Sequence, residues 1–138
     1  MNKSYVLDAC ALIALLRNES GAEEVAKVLS AALDKKVTVH MNIINLLEIY
    51  YDLYRITSRA KADEELSVIK KLPITLQSNI TNEIFTEAGR LKASYKISLA
   101  DSIALAQALT VNGELLTADH HEFDGIAQRE PVKFYWIR

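Results

Sequence analysis

Short apolar runs of strand character alternate with longer helical segments along this chain. Residues 4–7, 37–40, 74–77, 114–117 and 132–137 are predicted strands. The predicted helices are 9–16, 20–36, 42–56, 58–72, 81–95 and 99–113. Parallel strands need crossover connections of about ten residues or more, usually helices. The alternation therefore predicts an α/β fold in which a mainly parallel central sheet of four to five strands is flanked by helices.

The composition is that of an ordinary globular protein. Half of the 138 residues are hydrophobic and a quarter are charged, which fits a single domain over 1–138. Charges interrupt every apolar run before the roughly 18 residues of a membrane span. The apolar N-terminal stretch contains Asp8 and lacks a convincing cleavage site, so we expect a mature, cytoplasmic chain with no membrane partner. The net charge of −2 excludes little, because four acids in one site would leave a remainder of +2.

Four acidic residues stand in otherwise uncharged surroundings. Asp8 follows the first predicted strand and precedes eight residues without a full charge. Glu48 is the only acid, lysine or arginine in 37–49, and Asp101 is the only one in 97–112. Asp119 comes just after the fourth strand. Taken singly, each could be a helix cap, a turn residue or a solvent-facing side chain.

Together the four acids suggest a metal site. Asp8 and Asp119 lie at carboxyl ends of predicted strands, where the sites of open parallel sheets form. Carboxylates gathered there would repel one another and raise their pKa values unless a cation lay between them. Hard oxygen ligands without cysteine suit Mg²⁺ or Mn²⁺. Such ions, held by carboxylates, can hydrolyse phosphodiester bonds. The hypothesis is thus a metal-dependent phosphodiester hydrolase.

Four segments, in this order, resemble the PIN-domain ribonucleases, and more specifically the VapC-type toxins: "YVLDACALIALL", "NIINLLEIYY", "ISLADSIALAQAL" and "LLTADHHEFD". The resemblance covers nearly the whole chain. It implies a PIN-like three-layer sandwich and an Mg²⁺- or Mn²⁺-dependent endoribonuclease that cuts RNA at an acidic quartet. It also implies the toxin of a type II toxin–antitoxin pair, a small cognate antitoxin and a homodimer.

The resemblance carries roles to individual positions. Asp8 and Asp101 would be the principal metal ligands, Glu48 would bind metal or orient water, and Asp119 would help directly or through water. Thr117 matches a hydroxyl position expected to support the site or contact phosphate.

The chain also departs from the family pattern at two places. Asn42 stands where the family commonly has Ser or Thr; it can cap the helix, and its contact with substrate is open. "HHEF" follows Asp119 where the family has a basic residue and a second Asp, so Asp124 is either an extra acid of the site or a helix-surface residue.

Several other side chains have two interpretations. Cys10 is expected to be a small core residue rather than a nucleophile. His120 and His121 are expected to face solvent in a turn, with an RNA contact as the alternative. Arg17 and Lys96 are either solvated charges or phosphate ligands at the rim of the site.

The tyrosines of "IYYDLY" also admit two interpretations. Tyr50 and Tyr54 would share one helix face, and with Tyr51 they indicate core packing or a subunit interface, with base stacking as the alternative.

Three other classes of protein can be compared with the residues of this chain. A non-catalytic PIN-like module that binds nucleic acid or protein is the alternative, although all four acids are present. A haloacid-dehalogenase-type phosphatase would need a second Asp two residues after Asp8, where Cys10 stands. A receiver domain would need adjacent acids before its first helix, and none occur near the N-terminus.

Overall fold

The computed structural model describes residues 2–138, which form five strands and seven helices. The strands are β1 (Lys3–Leu7), β2 (Val37–Asn42), β3 (Thr75–Gln77), β4 (Glu114–Thr117) and β5 (Lys133–Trp136). The helices are α1 (Ala9–Leu16), α2 (Ala22–Leu33), α3 (Ile43–Ile56), α4 (Arg59–Lys70), α5 (Asn82–Ser94), α6 (Leu99–Thr110) and α7 (His120–Ala127).

The strands form one parallel sheet in the order β3-β2-β1-β4-β5. β1 lies at the centre, where Val6 pairs with His40 of β2 and with Leu115 of β4. Val6 and Leu7 are both fully buried, as expected for a central strand covered on both faces. Because all strands run the same way, their carboxyl ends meet at one edge of the sheet.

Helices cover both faces of the sheet, which confirms the predicted three-layer sandwich. Side chains alternate along a strand, so Val6 and Leu7 enter different cores. Leu7 packs in the cluster that includes Leu12, Val25 and Met41. Val6 packs in the opposite cluster, with residues of α5, α6, β4 and α7 such as Leu91, Leu105, Leu115 and Phe123. No helix within residues 2–138 is long and apolar enough to cross a bilayer.

The helix α7 is absent from the predicted elements. Its N-cap is Asp119, whose side chain accepts a hydrogen bond from the Glu122 backbone N–H, and its buried face carries Phe123 and Ile126. The expectation that the two histidines lie in a turn is therefore wrong, since α7 starts at His120. The predicted bounds of β4 match the observed ones, and those of the other four strands differ by one or two residues, as is usual at strand ends.

Candidate active site

Asp8 lies at the junction of β1 and α1 and is 2% exposed. Its Oδ1 accepts a hydrogen bond from the Ala11 backbone N–H at 2.8 Å, and the Thr117 side chain also hydrogen-bonds to it. Burial nevertheless raises the pKa of Asp8 to about 7, and the charges of Asp101 and Asp119 add to that rise. Asp8 is thus a buried acid that the protein scaffold only partly stabilises in its charged form.

Asp101 lies in the first turn of α6 and is held by the helix cap. The Ser98 hydroxyl accepts a hydrogen bond from the Asp101 backbone N–H at 3.1 Å. Burial raises the pKa of Asp101 to about 6, a hydrogen bond from Ser98 opposes the rise, and the charge of Glu48 adds to it. The charges of Asp119 and Glu122 add further. Asp101 is therefore close to carboxylates from two other helices and from the end of β4.

Glu48 projects from α3 and is half-buried, which raises its pKa. A hydrogen bond from the Asn45 amide, one turn earlier in α3, opposes this rise. Asn45 is fully buried, and its Nδ2 also donates to the Ala100 carbonyl oxygen at 3.0 Å. Since Ala100 precedes Asp101, this amide fixes α3, which carries Glu48, against the start of α6.

Thr117 joins two of the acids at the end of β4. It is fully buried, and its hydroxyl oxygen accepts a hydrogen bond from the Asp119 backbone N–H at 3.0 Å. The same hydroxyl can donate its proton to Asp8, and this hydrogen bond lowers the pKa of the Asp8 carboxyl. The hydroxyl therefore links Asp8 of β1 to the segment that carries Asp119.

Asn42 ends β2 and caps α3, as predicted. Its Oδ1 accepts a hydrogen bond from the Ile44 backbone N–H at 3.0 Å. Its Nδ2 is buried and has no hydrogen-bond partner within residues 2–138. A buried donor without a partner costs about 1–3 kcal/mol, so this amide N–H is a destabilising feature beside the site.

The extra acid of this region is Glu122, which the sequence interpretation passed over. Its charge raises the pKa of Asp101, and its Oε2 is buried without a hydrogen-bond partner in the described part of the chain. Asp124, the predicted candidate, is exposed and lies 2.8 Å from His120 Nδ1 through its Oδ1. The spacing of the acids could have indicated Glu122, because an acid three residues after an N-cap such as Asp119 is typical of a first helical turn.

The carboxylates provide the right donors for a hard cation. Within residues 2–138, none of Asp8, Glu48, Asp101 and Asp119 forms an ion pair with a lysine, arginine or histidine. Over the same residues, no three His, Cys, Asp or Glu side chains are arranged as a metal-binding group. The cluster is thus rich in oxygen donors and uncompensated negative charge, which fits Mg²⁺ or Mn²⁺, without being a closed cage.

The other candidates named from the sequence differ in their surroundings. Arg17 Nη2 lies 3.6 Å from Asp52 Oδ2, so its charge is partly satisfied on the surface. Lys96 is exposed and has no ion-pair partner in the described range. Cys10 is half-buried, and burial raises the pKa of its thiol, which disfavours the nucleophilic thiolate.

His120 is an ordered part of α7 rather than a free surface side chain. Its ring stacks on Trp136 with centroids 3.9 Å apart, and its Nε2 lies 2.9 Å from the Arg138 carbonyl oxygen. On α3, the rings of Tyr50 and Tyr54 share a face at 6.1 Å, as predicted. Tyr51 and Tyr54 are half-exposed, so core packing is wrong for these two side chains.

The sequence of this chain matches the model of a known domain family. The PIN domain model matches residues 5–128. The chain belongs to the PIN domain family. No curated protein sequence matches it significantly.

Solved structures share this PIN fold at low sequence identity. A toxin–antitoxin complex from Klebsiella pneumoniae is 21% identical with a TM-score of 0.66, covering 97% of this chain and 98% of that one. VapBC2 from Rickettsia felis bound to a promoter DNA fragment is 18% identical with a TM-score of 0.72, covering 96% and 97%. VapC20 of Mycobacterium tuberculosis, named as a sarcin–ricin loop cleaving toxin, is 15% identical with a TM-score of 0.65, covering 88% and 94%.

Proposed function

We propose that this PIN domain is an Mg²⁺- or Mn²⁺-dependent endoribonuclease that acts as the toxin of a type II toxin–antitoxin pair. The observation that carries the proposal is the uncompensated acidic cluster. Asp8 and Asp101 are carboxyls whose pKa values rise to about 7 and about 6. A fold keeps such groups at a measurable loss of stability, and a bound divalent cation would offset that loss.

Each carboxylate has a role in this proposal. Asp8 and Asp101 would hold the metal, while Glu48 and Asp119 would complete its shell or orient water. A divalent cation at this site would activate the attacking water and stabilise the leaving oxygen of the phosphodiester. Thr117 would keep Asp8 and the Asp119 segment together, and Asn42, which caps α3, would support the site or contact substrate.

The partners in the proposal follow from the names of the similar structures and from the exposed apolar surface. Those structures include a toxin–antitoxin complex and a VapBC complex, and we infer a small antitoxin that covers the acidic cluster.

An apolar groove of about 230 Å³ lies between α3 and α4. Beside it, Leu47, Tyr51 and Tyr54 are about half exposed, a surface that suits a homodimer.

Cleavage of RNA in defined metal conditions tests the nuclease. Purified protein is incubated with mixed structured RNA in Mg²⁺, Mn²⁺ or EDTA, beside the Asp8→Asn variant. The expected result is metal-dependent cutting that disappears both in EDTA and in the variant. Asp34→Asn is the matched control, since Asp34 is an exposed acid at the end of α2, and it should cut like the wild type.

Two outcomes would contradict the proposal. Cutting that persists in Asp8→Asn would place the activity elsewhere or in a contaminant. Absence of cutting together with no Mn²⁺ binding by calorimetry would favour the non-catalytic binding module.

A further inference from the structure

A groove of about 350 Å³ runs between the α5–α6 connection and α7. Its lining residues come from these two segments and from the two residues that follow α7. They are Tyr95, Lys96, Ile97, His121, Glu122, Gly125, Ile126, Gln128 and Arg129. Of these residues, Lys96 is a candidate phosphate ligand and His121 a candidate RNA contact from the sequence alone.

The groove carries two free positive charges. Lys96 and Arg129 are exposed, and neither forms an ion pair with another residue of 2–138. Two other arginines already have polar partners. Arg17 lies beside Asp52, and Arg138 donates to the Ser20 carbonyl oxygen at 2.6 Å. Lys96 and Arg129 are thus free to neutralise an anionic ligand.

The groove and the surroundings of Asp101 share one residue, Glu122. Glu122 lines the groove, and its charge also acts on Asp101. A chain of phosphates bound by Lys96 and Arg129 would therefore lie on the side of the molecule that carries Asp101.

Gly125 supplies an independent observation. It lies inside α7 with a helical backbone, where glycine is less stable than alanine. A Cβ added there would meet no atom within 4 Å, so nothing in the packing requires glycine. Since Gly125 lines the groove, its missing side chain leaves one wall open to the close approach of a ligand backbone.

We propose that the groove between the α5–α6 connection and α7 binds the sugar–phosphate backbone of the RNA strand that is cut, with Lys96 and Arg129 on its phosphates and Gly125 giving it room. The inference rests on the proposed ribonuclease and adds the path of the substrate. Phosphate contacts position a nucleic acid without reading its sequence, so the groove should serve every RNA that the enzyme cleaves.

The first test compares the Lys96→Gln/Arg129→Gln double variant with the wild type. Binding of a fluorescein-labelled, single-stranded RNA is followed by anisotropy in EDTA over a range of KCl concentrations. The salt slope should fall by about 1.4, because each phosphate contact on a single strand contributes about 0.7. In Mn²⁺, KM should rise while kcat stays unchanged, as expected for lost uniform binding. Lys36→Gln/Lys71→Gln removes the same charge from exposed positions outside the groove and should change neither quantity.

The second test uses a stabilising substitution. Gly125→Ala should raise the melting temperature and yet weaken RNA binding about tenfold, because its methyl group enters the groove. Gly89→Ala is the matched control, since Gly89 lies inside α5, also has open space at its Cβ and does not line the groove. It should raise the melting temperature and leave RNA binding unchanged. A loss of folding could not produce this pair of results.

The possible outcomes distinguish failure of the RNA-binding groove from failure of the proposed ribonuclease. If the wild type cleaves RNA and all groove variants bind and cleave like it, the inference is overturned and the proposed function stands. If the wild type neither binds nor cleaves RNA, both are overturned. A polyglutamate peptide that binds the wild type but not the double variant, with RNA binding intact, would assign the groove to an acidic protein segment and overturn the inference.

Discussion

Replacing Asp8 by asparagine should stabilise the metal-free protein at mildly alkaline pH. The carboxyl pKa is about 7 in the folded state and 3.8 in a solvated reference. Because the folded value is the higher one, the folded state binds more protons between about pH 4 and about pH 7. Stability contributed by the protonated carboxyl is therefore lost as the pH rises through that range. The asparagine amide would stay neutral at every pH and could still cap α1.

The magnitude follows from the rise in pKa. At 1.36 kcal/mol for each tenfold change in the ionisation constant, the rise from 3.8 to about 7 corresponds to at most about 4 kcal/mol. Roughly 2.5 kcal/mol of this would accumulate between about pH 5 and about pH 8. Since the variant exchanges the Thr117 hydrogen bond for a weaker neutral one, we expect a net gain of about 2 kcal/mol at pH 8.

Urea denaturation in EDTA at these two pH values measures the effect. The comparison must be between variant and wild type, because protonated His120 also stabilises the folded state. Its pKa is raised by the Arg138 carbonyl and by Asp124, so its contribution to stability is lost as the pH rises. Asp34→Asn should track the wild type. Saturating Mn²⁺ should reverse the order, since an ion at about 100 times its Kd adds about 2.7 kcal/mol to the protein that binds it. A variant that is less stable than the wild type at pH 8 in EDTA would refute the reasoning.

Three further substitutions probe particular contacts. Glu130→Gln should lower the free energy of unfolding by about 1–2 kcal/mol in urea denaturation, because the Glu130 carboxylate accepts bonds from Arg90 at 2.7 Å and from the Tyr95 hydroxyl at 2.6 Å; an unchanged midpoint would contradict it. Gly21→Ala should destabilise by more than about 1 kcal/mol in the same assay, since φ is +97° and the new Cβ would lie 2.7 Å from the Ile137 carbonyl oxygen. Asn45→Leu should weaken Mn²⁺ binding in calorimetry, because it removes the amide that hydrogen-bonds to Glu48 and to the Ala100 carbonyl oxygen; unchanged affinity would show that this amide does not position Glu48.

The sheet and six of the seven helices could be predicted because their signals are local. Each strand is a short apolar run, and each predicted helix has either an apolar face or a long uncharged stretch. The helix α7 is short and lies in "HHEFDGIA", where two histidines and a glycine hide the helical periodicity. Because that helix was not predicted, it could not be decided which side chains of 120–127 face Asp101. The extra acid was therefore sought at Asp124, although Glu122 is the one whose charge acts on Asp101.

The four isolated acids were recognisable because a lone carboxylate in an apolar segment is unfavourable unless something compensates it. Their proximity was a weaker prediction, since it depends on β1 lying between β2 and β4, and strand order is not a local property. The different surroundings of Arg17 and Lys96 were beyond sequence reasoning for the same reason. The pairing of Arg17 with Asp52 joins α3 to the end of α1, a contact that no spacing along the chain reveals.

Several weakly stabilised groups lie near one another at the carboxyl edge of the sheet. The buried Asp8, the unpartnered amide nitrogen of Asn42 and the unpartnered carboxylate oxygen of Glu122 are there, and Gly125 follows in α7. Single substitutions at Asp8 and at Gly125 are expected to stabilise the protein. A chain selected for stability alone would lose these features first. We therefore expect random variants selected for higher melting temperature to be enriched in substitutions at this edge and to have lost RNA binding or metal binding, and an even spread of stabilising substitutions over the surface would contradict the assignment of this edge to function.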